Sequence, residues 1–215
     1  MRELSFVKIP AGVDTADLKA VSEFLSQKCD THKVDNTPWP EQFPYKPEVS
    51  FSGAHDGKAV YLRFDVNEQQ ILATNTEINQ EVYQDSCVEF FIAVDDESYY
   101  NFEFNAVGTC LGGFHDAERD YRLHEDLLSG ITTLASLGEG PIDKPVGGEW
   151  NLTVRIPSGV LEQHSGFAFG GNGARANFYK CGDNHKTPHF VSWNMIEFEK
   201  PNFHLPEFFG KVTFE

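Results

Sequence analysis

The sequence predicts an all-β fold: a β-sandwich of antiparallel sheets, of the jelly-roll or immunoglobulin-like kind, with a short N-terminal helix. Short runs of alternating apolar and polar residues recur along the chain, and turn-forming residues separate them. The 215 residues include 19 Phe, 7 Tyr and 3 Trp, and aromatic side chains favour strands. Because no shift in composition marks a boundary, we expect residues 1–215 to form a single domain.

The helix is predicted over residues 14–28. Apolar residues recur there on one helical face, and a polar residue can cap the first turn. The apolar residues are Leu18, Val21 and Leu25, and the candidate caps are Asp14 and Thr15. Residues 36–48 hold four prolines, so we expect a stiff, extended connector, since each proline removes an amide donor and restricts the residue before it.

The first predicted strands form a hairpin, because Asp-Gly within residues 55–57 lies between two apolar runs and is a strong turn signal. Those runs are residues 49–54 and 58–66. Five later segments show similar apolar patterns and are also predicted to be strands: 87–94, 100–108, 150–156, 174–180 and 211–214. Residues 112–130 are polar and give no clear periodicity.

Alternation within two of these strands places two carboxyl groups on one face. Glu89 and Glu103 are expected to face the same way on adjacent strands, together with Arg63 and Arg155. Three interpretations remain open: a catalytic pair for glycoside hydrolysis, an ion-paired polar face of a sheet, or carboxylates that accept hydrogen bonds from sugar hydroxyls.

The charge balance argues against two classes of partner. The chain has 17 Lys and Arg against 33 Asp and Glu, a formal net charge of −16. Such a chain should repel phosphate backbones and anionic lipid, so we expect neither nucleic acid nor a membrane as a partner. The N-terminal residues carry charge without an apolar run, so we expect no signal peptide and a cytoplasmic location.

Metal and nucleophile motifs are weak. The four cysteines are widely spaced, which predicts free thiols. Two groups contain ligand types at plausible spacing, but loops separate their members, so we predict no metal and no cofactor. The groups are Cys181, Asp183, His185 and His189, and His115, Asp116, Asp120 and His124. The sequence has neither a Gly-x-Ser-x-Gly motif nor a phosphate-binding loop.

Five segments, taken together, carry a family resemblance. They read Val-Tyr-Gln-Asp-Ser-Cys-Val-Glu-Phe-Phe at 82–91, Tyr-Tyr-Asn-Phe-Glu-Phe-Asn at 99–105, Phe-Tyr-Lys-Cys-Gly-Asp at 178–183, Ser-Trp at 192–193, and Pro-Asn-Phe-His-Leu-Pro-Glu-Phe-Phe-Gly at 201–210. This set resembles the family 9 carbohydrate-binding modules, in particular the family 9-like proteins of gut Bacteroidetes. The likeness runs from about Trp39 to Phe214.

The resemblance implies a β-sandwich that holds a sugar between two aromatic rings. Tyr83 and Phe203 are nearest to the two ring positions, where classical members have tryptophan. Glu89 matches the family carboxylate, and Glu103 stands where classical members have a basic group. An amide on a late strand corresponds to residue 179 or 180. The implied ligand-binding residues are therefore Tyr83, Glu89, Glu103, Tyr179, Lys180 and Phe203.

Three functions compete at this point. The first is a non-catalytic domain that binds a mono- or oligosaccharide by aromatic stacking and polar contacts, with a role in carbohydrate catabolism. The second is a structural or protein-interaction domain, in which Tyr83, Trp193 and Phe203 are packed inside. The third is a glycoside hydrolase that uses Glu89 and Glu103.

Overall fold

The computed structural model describes residues 1–144 and 146–215, and it confirms the all-β prediction. The strands are β1 (Glu3–Lys8), β2 (His32–Lys33), β3 (Glu48–His55), β4 (Ala59–Glu68), β5 (Ile71–Ala73), β6 (Cys87–Ala93), β7 (Ser98–Asn105), β8 (Cys110–Asp116), β9 (Asp120–Arg122), β10 (Thr132–Ala135), β11 (Ile142–Lys144), β12 (Gly148–Pro157), β13 (Gly173–Cys181), β14 (Phe190–Ser192) and β15 (Gly210–Phe214). The α-helices are α1 (Leu18–Lys28) and α2 (Glu125–Leu128). Single 3-10 turns cover Val82–Gln84, Ser158–Val160, Glu162–His164 and Pro206–Phe208.

The strands follow one continuous path that forms two layers. Its order is β10-β12-β4-β3-β1-β15-β13-β6-β7-β8-β9, with β2 beside β3 and β14 beside β13. We call β10, β12, β4, β3 and β2 the back sheet, and β15, β13, β14, β6, β7, β8 and β9 the front sheet. Strands β5 and β11 form a separate small pair.

Strand β1 joins the two sheets and departs from the antiparallel prediction. Its residues 3–6 pair in parallel with β15, and residues 7–8 pair in parallel with β3. One strand therefore changes sheets along its length, and the other described pairings are antiparallel. The sequence analysis missed β1, because its six residues are too few to establish a pattern on their own.

The core lies between the two sheets and is rich in phenylalanine. Phe51 of the back sheet stacks on Phe178 of the front sheet, with ring centroids 3.7 Å apart. Phe90 stacks on the same ring at 5.1 Å. In β6, Val88 and Phe90 enter this core whereas Glu89 and Phe91 point outward, so the predicted alternation is confirmed.

The helix prediction is confirmed with a later start. Helix α1 begins at Leu18 because Asp17 caps it: the Asp17 side chain accepts a hydrogen bond from the Lys19 amide at 2.9 Å. The predicted cap Asp14 instead closes the preceding turn, accepting from the Ala16 amide. The apolar face of α1 packs on the outside of the back sheet, against Tyr61. None of the helices in the described part of the chain has the length and apolarity needed to span a membrane.

Gly210, at the start of β15, is predicted to be intolerant of a side chain. A Cβ there would lie 2.7 Å from the Trp193 ring and closer still to the backbone oxygen of Arg2. We expect Gly210→Ala to lower the free energy of unfolding by about 1–3 kcal/mol, because the backbone next to β1 must shift. Urea unfolding measures this. Gly12→Ala is the control, since nothing lies within 4 Å of its added Cβ, and equal losses in both variants would contradict the prediction.

Candidate functional site

A cavity of about 350 Å³ lies on the outer face of the front sheet. Strands β13, β6, β7 and β8 supply its floor, because alternate residues of each strand point away from the core. Residues 83, 183 and 201–204 come from connecting segments that surround the floor, and residue 190 begins β14. Four of the six predicted binding residues line this one cavity: Tyr83, Glu89, Glu103 and Phe203.

Phe203 is held in place by other aromatic rings. Tyr179 stacks on it with centroids 4.1 Å apart and planes 10° apart, and the Tyr179 hydroxyl donates to the Phe203 carbonyl at 3.2 Å. Trp39 lies on another side, 6.0 Å away. Phe203 keeps 8% of its surface exposed, whereas Tyr179 is fully buried. Tyr179, predicted as a ligand contact, therefore supports the ring that lines the cavity and does not line it itself.

Tyr83 lies half-buried on the 3-10 turn Val82–Gln84, far from Phe203 in the sequence. The turn is anchored by Asp85, whose carboxylate accepts hydrogen bonds from the amides of Thr74 and Asn75, both at 3.0 Å. The Tyr83 carbonyl also accepts from the Asp183 amide at 3.2 Å. These contacts fix the Tyr83 backbone beside the cavity while its ring remains partly accessible.

Glu89 and Glu103 are direct neighbours on β6 and β7, as the alternation predicted. Both are buried: their exposures are 2% and 5%. Burial raises the pKa of Glu89 well above its usual range, and the Glu103 carboxyl raises it further. Burial also raises the pKa of Glu103 to about 7, against a hydrogen bond from Asn101 that lowers it. At neutral pH the cavity floor can therefore both donate and accept hydrogen bonds.

A polar chain beside Glu103 was not found by sequence reasoning. Asn101 Nδ2 donates to Glu103 Oε1 at 2.8 Å, and the ring of His115 donates through Nε2 to Asn101 Oδ1 at 2.8 Å. Asp120 lies 3.2 Å from the other ring nitrogen of His115. All of them line the cavity. The parity of β7 would have identified Asn101, but His115 and Asp120 belong to the segment without a pattern.

Lys180, which the resemblance implies as a ligand-binding residue, does not line the cavity. On β13, Tyr179 and Cys181 point outward, and Lys180 between them points inward. Its ammonium lies 2.8 Å from Glu68 Oε2 and 2.7 Å from His189 Nε2, and it is fully buried. A strand cannot present two consecutive residues to the same face, which is the reason for the correction.

The two groups of possible ligand types named from the sequence do not converge. Cys181 faces the cavity, whereas His185 and His189 lie near Glu68 on the inner side of the sheet. In the second group His115 contacts Asp120, while the remaining two residues have partners elsewhere. Those two are Asp116, which pairs with Arg119, and His124, which caps α2.

Of the three interpretations left open for the two carboxyls, the ion-paired face with Arg63 and Arg155 is not what the structure has. Arg63 and Arg155 belong to β4 and β12 of the back sheet, and Arg63 binds Asp65 at 2.6 Å. Trp193 is only 2% exposed and packs its ring against Phe178 at 5.6 Å, in the core. The burial that the interaction-domain hypothesis expects therefore holds for Trp193 and for Phe203, which is only 8% exposed, but not for Tyr83, which is half-buried. Tyr83 and the exposed part of Phe203 line the cavity.

Comparisons with known proteins agree with this architecture. The model of carbohydrate-binding family 9 matches residues 19–214. A solved structure from Bacteroides uniformis, described as a "putative carbohydrate-binding protein", is 36% identical, with a TM-score of 0.92 over 100% of this chain and 99% of its own. No curated protein matches the chain.

Two more distant structures share the fold. A carbohydrate-binding module of family 9 from Caldicellulosiruptor kristjanssonii in complex with glucose is 13% identical, with a TM-score of 0.57 over 99% of this chain and 95% of its own. A module of that family from the same organism in complex with cellotriose is also 13% identical, with a TM-score of 0.59 over 99% and 93%. At this identity the likeness concerns the fold alone.

Proposed function

Because the chain belongs to carbohydrate-binding family 9, we propose that the cavity on the front sheet binds a mono- or oligosaccharide without cleaving it. The observation that carries the proposal is the meeting of Tyr83, Phe203, Glu89 and Glu103 at one cavity, although they come from distant parts of the sequence. Its volume of about 350 Å³ suits a small ligand, such as one sugar unit with a neighbour at the opening.

The two kinds of lining residue match the two surfaces of a sugar ring. Tyr83 and Phe203 offer apolar faces to the C–H groups of a pyranose, and they lose little conformational entropy on binding. Glu89 and Glu103 at the floor offer carboxyl groups to hydroxyls. Because burial raises the pKa of both carboxyls and so favours their protonated form, they can both donate hydrogen bonds to sugar hydroxyls and accept hydrogen bonds from them.

The family match favours binding over hydrolysis for this carboxyl pair. A glycosidase needs one protonated carboxyl as the acid and one ionised carboxyl as the nucleophile or base. Burial raises the pKa of both carboxyls, to about 7 for Glu103, so at neutral pH Glu89 is protonated and Glu103 is partly ionised. Protonation alone does not separate the two functions, and a direct assay for cleavage is needed.

We expect calorimetric titration to detect binding of glucose or a cello-oligosaccharide, the ligands named for the two distant structures. Tyr83→Ala and Phe203→Ala should each weaken binding about tenfold or more, equivalent to about 1.4 kcal/mol, because each removes a stacking face. Phe198→Ala is the matched control, since this Phe is 48% exposed and lies outside the cavity.

Two results would overturn the proposal. One is the absence of heat with a panel of neutral mono- and disaccharides; the other is unchanged affinity in both Tyr83→Ala and Phe203→Ala. A reducing-end assay on the same oligosaccharides separates binding from hydrolysis. We expect no release of product, and release that disappears in Glu89→Gln and Glu103→Gln would instead support the hydrolase hypothesis.

A further inference from the structure

Two thiols lie next to the Glu89 carboxyl at the cavity floor, and the proposed sugar binding does not use them. Cys87 and Cys181 are direct cross-strand neighbours on β6 and β13, and Glu89 follows Cys87 by two residues on the same face. The two sulfur atoms and a Glu89 carboxyl oxygen all lie within 4.8 Å of one another. Glu89 faces Glu103 across the next pair of strands, which brings four potential metal ligands onto three adjacent strands.

No Lys or Arg forms an ion pair with these four groups among the described residues, although the more distant charges of Arg122 and Lys180 act against the burial that raises the pKa of Glu103 and Glu89. The Cys181 thiol donates to Glu89 Oε1 at 3.0 Å. Glu103 Oε1 accepts from Asn101, but the buried Oε2 of Glu103 has no hydrogen-bond partner among the described residues. Lys180, next to Cys181 in sequence, points to the opposite side of the sheet. An acceptor buried without a partner is costly, and it suggests a bound group that satisfies it.

We propose that Cys87, Glu89 and Cys181 bind a thiophilic divalent metal ion of the Zn²⁺ class, with a water from the cavity as the fourth ligand and Glu103 beside it as a hydrogen-bond acceptor for that water. Two sulfurs and one carboxyl oxygen from the protein suit a tetrahedral zinc site with one open position, at Zn–S distances of about 2.3 Å and Zn–O distances of about 2.0–2.2 Å. Ligand atoms on one such ion lie about 3.3–3.8 Å apart, which the observed spacing reaches with small rotations of the side chains.

A second cluster of potential metal ligands already contains a cation, which the protein itself supplies. Ligand atoms of Glu68, His185 and His189 also lie within 4.8 Å of one another. There the ammonium of Lys180 lies 2.8 Å from Glu68 and 2.7 Å from His189, so a tethered cation already occupies the centre. The thiol cluster has no such occupant among the described residues, and for that reason the proposal concerns the thiol cluster alone.

Access and proton balance are both compatible with an exchangeable ion. Glu89 and Cys181 line the cavity, so an ion can enter from it. Burial raises the pKa of the Cys87 thiol to about 12 and raises that of Cys181 as well, so both are S–H groups without metal. Binding releases both thiol protons, and any proton on the Glu89 carboxyl, to solvent, while two S–metal bonds and one O–metal bond form to the protein and a water completes the coordination.

The test is titration of the reduced, chelator-treated full chain with Co²⁺ and then Zn²⁺. We expect one equivalent of Co²⁺ to produce a near-ultraviolet thiolate-to-metal charge-transfer band that Zn²⁺ abolishes, and elemental analysis to give one Zn²⁺ per chain. Cys87→Ser and Cys181→Ser should each weaken metal binding about a hundredfold or more, since each removes a ligand directly. Cys110→Ser, another buried free cysteine but in the core, is the matched control.

The melting transition of each variant checks that it folds. Two measurements do not need a cysteine variant: metal binding by Glu89→Gln, and protection of the wild-type thiols from maleimide by Zn²⁺. The proposal is overturned if reduced wild-type protein gives no thiolate band and retains no zinc. It is equally overturned if Cys87→Ser and Cys181→Ser bind metal like Cys110→Ser, or if the two thiols only form a disulfide. A parallel glucose titration keeps this result separate from the sugar-binding proposal.

Discussion

Lys180→Met is expected to lower the free energy of unfolding by about 3–5 kcal/mol, because it leaves Glu68 buried without its cation. The ammonium of Lys180 is fully buried and lies 2.8 Å from Glu68 Oε2. It also donates to the Cys181 carbonyl and to His189 Nε2, each at 2.7 Å. Glu68 Oε1 accepts from the Trp150 indole at 2.6 Å, so the carboxyl is fixed in place and cannot turn to water.

Urea unfolding at pH 7.5 measures this effect. Lys186→Met is the control, because Lys186 is exposed in the following loop. The double variant Glu68→Gln with Lys180→Met should recover much of the loss, since it removes the stranded charge as well as its partner. A loss below about 1 kcal/mol in Lys180→Met would mean that the Lys180–Glu68 pair contributes no more than an exposed surface ion pair, and it would contradict the prediction.

The sequence was sufficient to predict the strands that have one apolar face and one polar face. The alternation of β6 and β7 predicted that Val88 and Phe90 pack inward while Glu89 and Glu103 share the outer face, and the structure agrees. The resemblance to family 9 added Phe203, which no periodicity could have related to Glu89. Local pattern thus decides which face a side chain takes, and pairing between distant segments decides which side chains meet.

Other parts of the site depend on pairings that a single sequence does not display. His115 and Asp120 lie where β8 and β9 form a tight hairpin within a polar segment that lacks apolar alternation. Lys180 is different, because parity alone was enough to separate it from Tyr179. Its partner Glu68 ends β4 in the other sheet, and only the packing of the two sheets brings these charges together.

Two buried histidines near Lys180 are expected to lower stability as the pH falls below about 6.5, whereas the raised pKa values of Glu89 and Glu103 act in the opposite direction. Burial, and then the charge of Lys180, lower the pKa of His185 to about 4 and that of His189 to about 2. His189 Nε2 accepts from the Lys180 ammonium, so its protonation would place two cations face to face. The unfolded chain takes up these protons at the ordinary histidine pKa, whereas the folded chain resists, and folding is therefore penalised in acid.

The expected loss of stability follows from the lowering of the His185 pKa. For His185 alone, a pKa lowered from 6.5 to about 4 corresponds to a loss of roughly 3 kcal/mol between pH 7.5 and pH 4, and roughly 2 kcal/mol of this appears by pH 5. Urea unfolding of wild type and His185→Gln at pH 7.5, 6 and 5 isolates this contribution, because Glu89 and Glu103 act equally in both proteins. Relative to wild type, His185→Gln should gain stability as the pH falls. His124→Asn should follow wild type, because His124 is exposed and asparagine preserves its helix cap.

Lys180→Met distinguishes the charge of Lys180 from burial as the source of this acid sensitivity. Without the ammonium, the pKa values of His185 and His189 should rise toward 6.5, and Glu68 gains a protonated histidine as a replacement partner within 4.0 Å. The variant is then less stable than wild type at pH 7.5 but loses less stability on acidification, so the two curves converge near pH 5. Parallel curves would mean that burial alone lowers the histidine pKa values and that the Lys180 charge has no part in the acid response.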